Sequence, residues 1–304
     1  MRIVMFGQAA FGRDVMVRLL ESGHEVRAVY APPEASRPDP LAAEAESRAI
    51  TLLRHKYFRR DGRAIPERIK EYEKFDADLN VMAYVTVFLP EEIIDGPRHK
   101  SICFHPSILP AFRGGAAIPW QIILGATEVG VSVFRPDEGV DTGPIVIQKR
   151  GVEVLPSDNA ASLYFDKLYP LGVEAMVEAV EEISAGRAKY RIQLDEDASH
   201  QGLIRDADSR LDWRRPAEEL DRLARGCDPQ PGSWAELGGH PVRFFGCSLN
   251  NPRGGSAGEV LAIDETGILI SARGGSLRFT RLRRGQGPKV EALESEISLG
   301  EVFN

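Results

Sequence analysis

The chain has 304 residues, of which 43% are apolar and 27% are charged, and its formal net charge is -7. This length favours two domains over one, and the composition is that of a folded protein with a sizeable core rather than a disordered one. The negative charge argues against a protein that binds nucleic acid over its whole surface, because phosphate binding depends on clustered lysine and arginine.

Short apolar runs rich in β-branched residues predict strands in the first two thirds of the chain, at 3–6, 25–30, 79–84, 101–104, 129–134 and 145–148. A helical pattern over residues 13–22 ends at Gly23, and a longer one over 160–186 contains Pro170, which we expect to kink or split it. Strands that alternate with helices are typical of an α/β fold with a doubly wound, mostly parallel sheet.

The last third of the chain has a different pattern. A polar stretch at 187–210 predicts a linker, and a short helix is expected at 216–225. Strand-like runs separated by glycine and asparagine turns follow at 241–245, 258–263, 267–271 and 276–281. We therefore predict a domain at 1–186, a linker at 187–210, and a smaller C-terminal β-barrel of OB-like form at 211–304.

The cysteines and the N-terminus favour a reduced, cytoplasmic protein. Cys103, Cys227 and Cys247 lie far apart and form no zinc-binding pattern. The first residues lack the pattern of a signal peptide, and no apolar run approaches the roughly 20 residues that a membrane span needs. We expect a cytoplasmic location and no membrane partner.

Two glycines after the first strand, Gly7 and Gly12, suggest a phosphate-binding loop, but the surrounding residues match neither known glycine-rich pattern. A tight turn into the first helix is the better interpretation. Binding of an anion at the start of that helix stays open.

His105 is the strongest candidate for chemistry. It follows the predicted strand at 101–104 and precedes Pro106, so we expect it at the carboxyl end of a strand, where open sheets keep their sites. The sequence DEGVDTG, residues 137–143, offers three carboxylates on a loop that follows another strand. A carboxylate beside a histidine can fix its tautomer and raise its pKa, which suits a proton shuttle or an oxyanion donor.

Spacing alone does not decide for catalysis, because a histidine near a carboxylate is more often a structural hydrogen bond. Ser107 lacks the surroundings of a nucleophilic serine, which favours a capping or turn role. No further ligand stands near His105 at a suitable spacing, so the sequence predicts no metal site.

The sequence HPSILPAFRGGAAIPW, followed by GVSVF and DEGVDTG, resembles the signature of the 10-formyltetrahydrofolate-dependent formyltransferases. The resemblance extends over nearly the whole chain and includes MRIVMFG, LNVMAYVTVFLP, LDWRRPAEEL and PGSWAEL. Within this superfamily the sequence is most similar to the N-terminal hydrolase domain of 10-formyltetrahydrofolate dehydrogenase. Methionyl-tRNA formyltransferase is the next most similar.

The resemblance implies that 10-formyltetrahydrofolate gives up its formyl group at His105 and Asp141 and leaves as tetrahydrofolate, without a metal. It places the pterin between the loops at 84–90 and 135–141. The folate contacts that it implies are Tyr84, Phe88, Leu89, Arg135, Asp137, Glu138 and Val140. The substrate contacts that it implies are Ser107, Arg113, Gly114 and Gly115.

One position departs from the family pattern. These formyltransferases commonly carry an asparagine two residues before the histidine, and here that residue is Cys103. The hydrolase domain of the dehydrogenase also lacks the asparagine, which favours that branch. Cys103 could act as a nucleophile through a formyl thioester, although a small side chain on a buried strand is the more ordinary interpretation.

The acceptor of the formyl group stays open: water, a small amine or a carrier thiol. The loop after the second strand, residues 31–46, has one arginine against four carboxylates, which argues against tRNA. A cluster of cations in the C-terminal region favours binding of tRNA, or of an anionic folate tail. It consists of Arg273, Arg278, Arg281, Arg283, Arg284 and Lys289. A sugar-amine formyltransferase and a folate-binding module without turnover remain alternatives.

Overall fold

The structure is a computed structural model, and it describes residues 1–251 and 254–304. The chain divides into two compact units. The first unit comprises Met1–Arg113, Gly130–Arg150 and Leu168–His200, and the second comprises Gly114–Val129, Gly151–Lys167 and Gln201–Asn304. The predicted linker at 187–210 is therefore shared between the two units, with a boundary between His200 and Gln201.

The secondary structure alternates strands with helices up to Ser184. In chain order the elements are β1 (Arg2–Gly7), α1 (Ala9–Glu21), β2 (Glu25–Ala31), α2 (Pro40–Ser47), β3 (Thr51–Arg54), β4 (Arg59–Arg60), β5 (Arg63–Ala64), α3 (Pro66–Glu73), β6 (Leu79–Ala83), α4 (Glu91–Ile94), β7 (Ser101–His105), α5 (Ala117–Ile123), β8 (Glu128–Phe134), β9 (Ile145–Glu153), α6 (Ala160–Ser162) and α7 (Tyr169–Ser184). After them come α8 (Ala217–Gly226), β10 (Ser233–Leu237), β11 (His240–Asn250), β12 (Val260–Asp264), β13 (Gly267–Ala272), β14 (Gly275–Arg284) and β15 (Val290–Glu291).

The larger sheet has seven strands in the order β3-β2-β1-β6-β7-β8-β9. Strand β1 pairs in parallel with β2 and with β6, and β6 pairs in parallel with β7. The strand order reverses beside β1, which is the position where open α/β sheets bind ligands. The predicted α/β class with a mostly parallel sheet is confirmed, with one exception at the site: β8 runs antiparallel to β7.

Helix α1 packs its apolar residues against this sheet. Phe11, Val15, Met16 and Leu19 are fully buried, and they recur at the helical spacing that the sequence indicated. The helix begins at Ala9, four residues before the predicted start. It ends as expected before Gly23, whose φ of +81° suits glycine and whose N–H bonds to the Leu20 carbonyl.

The start of α1 already carries a carboxylate. Asp39 accepts a hydrogen bond from the Ala9 N–H at 2.6 Å and another from the Ala42 N–H at 3.0 Å. It thus caps α2 and also lies at the N-terminus of α1, where the helix dipole favours negative charge. This internal anion occupies the position where the sequence left open the binding of an external one.

Pro170 marks a change in helix type. Residues Leu163–Leu168 form a π-helix between α6 and α7, and Pro170 falls in the first turn of α7. In that turn the missing N–H of proline costs nothing. Gly172 lies close to strand β7, since a Cβ added there would lie 2.5 Å from Cε2 of Phe104. Only glycine allows this approach.

The C-terminal part forms an antiparallel sheet of six strands in the order β10-β11-β14-β13-β12, with β15 paired to β14. Four of these strands were predicted, and β10, which has five residues, and β15, which has two, were missed. Trp213, Phe244, Phe279 and Phe303 pack together in the core of this region. Within residues 1–251 and 254–304, no helix is long and apolar enough to cross a membrane.

Candidate active site

His105 is the last residue of β7 and is only 5% exposed. Its Nε2 atom lies 2.8 Å from the main-chain oxygen of Phe112. A carbonyl oxygen can only accept, so Nε2 carries the proton and donates it. Phe112 has a φ of +60°, a left-handed conformation that is unfavourable for a bulky residue.

Asp141 stands on the other side of the imidazole. Its Oδ2 atom lies 3.4 Å from Nδ1 of His105, and its backbone also has a positive φ, +57°. Phe112 and Asp141 therefore both have left-handed backbones. Such conformations persist where the surrounding structure imposes them, and they concentrate at functional sites.

The surroundings of His105 determine its charge. Burial lowers the pKa of His105 below its ordinary value, and the negative charge of Asp141 and the hydrogen bond to Phe112 oppose this only in part. The imidazole is accordingly neutral at neutral pH, with its proton on Nε2. Its lone pair is on Nδ1 and faces Asp141.

A cavity of about 750 Å³ opens beside Asp141, and His105 is not among the described residues that form its wall. Two loops form much of its wall, one around 85–90 and the other around 136–141. The sequence-predicted residues that line it are Phe88, Leu89, Asp137, Glu138, Val140, Asp141 and Cys103. Phe88 is 78% exposed, so a large apolar ring is available to a ligand.

Two of the predicted folate contacts lie elsewhere. Tyr84, with a φ of +65°, lines a small neighbouring cavity together with Gln8 and Tyr30. The guanidinium of Arg135 stacks on the ring of Tyr190 at 4.1 Å. In the described part of the chain, neither Tyr84 nor Arg135 is among the residues that line the larger cavity.

Asp137 supports its own loop. Its Oδ1 atom accepts hydrogen bonds from the Gly139 N–H and from the hydroxyl of Thr142. These bonds close the turn that carries Asp141, as aspartate commonly does in tight loops. The carboxylate of Asp137 thus shapes the cavity wall.

Cys103 lies on β7 opposite Phe134 of β8 and lines the cavity. Burial raises the pKa of its thiol, and the charge of Asp141 raises it further. The thiol is therefore protonated at neutral pH. A protonated thiol is a poor nucleophile and a weak hydrogen-bond donor.

The four predicted substrate contacts follow β7. Ser107 is fully buried and donates to the Ala111 carbonyl at 2.6 Å, while Arg113 is 8% exposed and donates to the side chain of Gln193. Gly114 has a φ of +107°, and a Cβ at Gly115 would lie 3.1 Å from Leu203. Among described residues, the cavity wall includes none of the four. Their contact with substrate stays a prediction.

Metal ligands are not grouped in the described ranges. Among residues 1–251 and 254–304, no group of three or more His, Cys, Asp or Glu side chains could hold a metal ion. The chemistry that this arrangement supports is proton transfer at Nδ1 of His105.

The comparison with protein families decides the class. The family described as formyl transferase matches residues 1–180, and the formyl transferase C-terminal domain matches residues 203–295. The chain belongs to the formyltransferase family. It is 30% identical to methionyl-tRNA formyltransferase of Geobacter metallireducens over 288 residues, which are 92% of this chain and 90% of that protein.

Other relatives are longer than this chain. Mitochondrial 10-formyltetrahydrofolate dehydrogenase of Mus musculus is 41% identical over 250 residues, which are 82% of this chain and 27% of that protein. The chain thus spans little more than a quarter of the dehydrogenase. HypX from Aquifex aeolicus, solved in complex with tetrahydrofolic acid, has the same fold with a TM-score of 0.72 at 21% identity; the match covers 96% of this chain and 46% of HypX.

Several residues near the site of this member of the formyltransferase family escaped the sequence interpretation. Arg59 and Arg63 line the cavity from the small hairpin of β4 and β5. The basic residues around the turn sequence Asp61-Gly62 were the available signal. No local signal marks the Phe112 carbonyl or Gln193, because main-chain acceptors and single amides have no sequence pattern.

Proposed function

We propose that this protein removes the formyl group from 10-formyltetrahydrofolate and passes it to water or to a small amine in the cytoplasm. The observation that carries the proposal is that His105 is buried and neutral and that its unprotonated Nδ1 faces Asp141. Asp141 lies in the wall of a cavity of about 750 Å³. The likeness to 10-formyltetrahydrofolate dehydrogenase and to HypX with tetrahydrofolic acid supports the folate.

The cavity suits a folate in size and chemistry. Drug-sized ligands occupy cavities of about 300–1,000 Å³ with mostly apolar walls and a few polar groups. Phe88 and Leu89 offer apolar surface for the pterin and aminobenzoyl rings, and Arg59 and Arg63 offer positive charge for the glutamate carboxylates. We assign the wall at 136–141 to the formyl end, because it carries Asp141.

His105 acts as the general base in this proposal. The folate supplies the formyl group and N10 as the leaving nitrogen. As water or an amine bonds to the formyl carbon, Nδ1 of His105 takes up its proton, and the imidazolium then delivers a proton to N10 as the bond from carbon to N10 breaks. With water, the formic acid that forms releases its remaining proton to solvent, so the products are formate, a proton and tetrahydrofolate.

Asp141 stabilises the charged form of His105 during this transfer. Its carboxylate lies 3.4 Å from Nδ1, and the Phe112 carbonyl accepts a hydrogen bond from the Nε2–H group throughout. The imidazolium would therefore have an acceptor on both nitrogens. General acid–base groups of this kind typically contribute about 10²–10⁴-fold to the rate.

Cys103 stands where other members of the superfamily use an asparagine to hold the oxyanion. Since its thiol is protonated and a weak donor, it supplies less stabilisation than an amide. We infer that Cys103 forms part of the wall beside the formyl group. The nucleophile is the external acceptor.

Methionyl-tRNA formyltransferase is the second candidate, because the relative from Geobacter metallireducens matches over 92% of this chain. The electrostatic argument against tRNA is weaker in the structure than in the sequence. Of the acidic residues at 31–46, Asp39 caps two helices, and Glu44 pairs with Arg48 at 2.6 Å. Part of the negative charge of this loop is therefore held by helix ends and by Arg48, which weakens its repulsion of a phosphate backbone.

The test is the release of tetrahydrofolate from 10-formyltetrahydrofolate by the purified protein. It is measured first with no acceptor, then with a small amine, and then with methionyl initiator tRNA. We expect release in the absence of any added acceptor. Release that depends on charged tRNA would replace this proposal by the second candidate, and no release in all three would contradict both.

A further inference from the structure

The segment at 190–200 lies outside both matched domains, which cover residues 1–180 and 203–295. We call it the strap. It runs beside the end of the Asp141 loop, where Arg191 and Ile145 exchange two main-chain hydrogen bonds of 2.8 Å. Its side chains alternate in exposure there, since Ile192 is 79% exposed whereas Gln193 is 8% exposed.

Gln193 holds the Asp141 loop. Its Nε2 donates to the main-chain oxygen of Asp141 at 2.9 Å and to that of Gly143 at 2.7 Å. Its Oε1 accepts from Nε and Nη2 of Arg113 at 3.1 and 3.0 Å. The amide has one possible orientation, because carbonyls only accept and a guanidinium only donates. All its hydrogen-bonding atoms are used.

Ser199 holds the other partner of His105. Its hydroxyl oxygen accepts a hydrogen bond from the Phe112 N–H at 2.8 Å. The main chain of the strap adds two further bonds, from the Ser199 N–H to the Pro110 carbonyl and from the Arg113 N–H to the Ser199 carbonyl. The carbonyl that fixes the proton of His105 thus belongs to a residue that is tied to the strap.

We infer that the strap is a positioning element for the His105–Asp141 pair: Gln193 sets the carboxylate against Nδ1, and Ser199 sets the carbonyl against Nε2. The physical reason is that Asp141 and Phe112 both have left-handed backbones. These conformations are costly and need external bonds to persist. The consequence for catalysis rests on the proposed function, whereas the geometry does not.

The first experiment replaces Gln193 by leucine, which keeps the side-chain size and removes the amide. We expect kcat for deformylation to fall by about 100-fold, the loss typical of a reacting group displaced by about 1 Å, with a smaller change in KM. The exposed neighbour provides the matched control, since Ile192→Ala should leave both constants unchanged. Equal activity of the leucine variant and the wild type would overturn the inference.

The second experiment does not depend on activity. In ¹⁵N-histidine-labelled protein, the pKa of His105 should fall in Gln193→Leu, because the charge of Asp141 that raises it moves away. In Ser199→Ala, the imidazole should lose its preference for the Nε2–H tautomer. If the pKa of His105 in Gln193→Leu and its tautomer in Ser199→Ala both stay as in the wild type, the strap does not position the pair, whatever the activity.

A variant that fails to fold does not end the test. Gln193→Met fills a similar space, adds no charge beside His105 and leaves Arg113 its bond to Asp195. It cannot donate to the carbonyls of Asp141 and Gly143, so the same fall in the pKa of His105 is expected. If the wild type proves inactive on 10-formyltetrahydrofolate while the titration shift appears, the proposed function fails and the positioning role stands. Lost activity without any titration shift would overturn the positioning role.

Discussion

The Nε2 atom of His105 donates a hydrogen bond to the main-chain oxygen of Phe112 at 2.8 Å. This bond assigns the proton of the neutral ring to Nε2 and leaves Nδ1 as the nitrogen that can accept one. A donor role toward an oxyanion would require Nε2 to break this bond. The geometry therefore favours a base over an oxyanion donor.

Replacing His105 by alanine should abolish most deformylation and leave the affinity for tetrahydrofolate nearly unchanged. Loss of a general base typically costs about 10²–10⁴-fold in rate, whereas the cavity wall does not depend on this side chain. Single-turnover kinetics and equilibrium binding measure the two quantities. The exposed His240 offers a control, and an alanine variant of His105 with wild-type activity would remove the central role of this residue.

Replacing Asp141 by asparagine should move the acidic limb of the pH dependence to lower pH. The rate requires the neutral imidazole, and the charge of Asp141 raises the pKa of His105, so its removal lowers that pKa. The maximal value of kcat/KM, reached above this limb, should also fall, because the imidazolium loses its carboxylate partner. The measurement is kcat/KM against pH for both proteins. A limb that moves toward higher pH would contradict this assignment.

The free energy of unfolding should decrease as the pH falls below about 6.5, the usual pKa of histidine in an unfolded chain. Burial lowers the pKa of His105 in the folded state, so the unfolded state binds a proton first and gains stability relative to the native one. Urea denaturation of the wild type and of His105→Gln over this range measures the effect. The free energy of unfolding of the variant should fall less with decreasing pH than that of the wild type. If both proteins show the same pH dependence, His105 does not contribute to it.

Replacing Cys103 by alanine should keep the rate of deformylation within the same order of magnitude. Burial raises the pKa of this thiol, so no thiolate is available to attack the formyl carbon. Loss of a covalent nucleophile would instead nearly abolish turnover. Rates of tetrahydrofolate release distinguish the two results, and trapping of a formyl thioester on Cys103 would establish the nucleophilic role.

Replacing Gly172 by alanine should destabilise the protein by about 1–3 kcal/mol, as is typical of added volume in a close-packed core. The new Cβ would lie 2.5 Å from the ring of Phe104, next to His105 in sequence. Gly202→Ala is the matched control, because no neighbouring atom lies within 4 Å of a Cβ at that position. Urea denaturation at neutral pH measures the stability of both variants. If they are equally stable, α7 can shift to accommodate the new Cβ without loss of stability.

Much of the fold could be predicted from the sequence, because many of its helices and strands depend on local sequence patterns. Apolar runs gave the strands β1, β2, β6, β7 and β8 to within one residue of their ends. Gly23 marked the end of α1, and Pro170 marked a change of helix type. Hydrophobic periodicity and backbone limits are properties of short segments, so no tertiary information was required.

The direction of β8 could not be predicted from the sequence. We expected His105 and Asp141 to meet because both follow the carboxyl ends of strands. Strand β8 instead runs antiparallel to β7, with Cys103 opposite Phe134, so the loop that carries Asp141 starts beside Cys103 and returns to His105. Strand direction depends on pairing between distant segments, which an apolar run by itself does not encode.

The sequence by itself determined the class of sheet and the resemblance to formyltransferases, and it singled out His105 and Asp141 as candidate site residues, because these rest on periodicity and on recurring residue patterns. The tertiary structure decided which nitrogen of His105 is free, that the Cys103 thiol is protonated, and that Gln193 supports Asp141. These properties arise from burial and from hydrogen bonds between segments far apart in the chain, and the folded state alone brings those groups together.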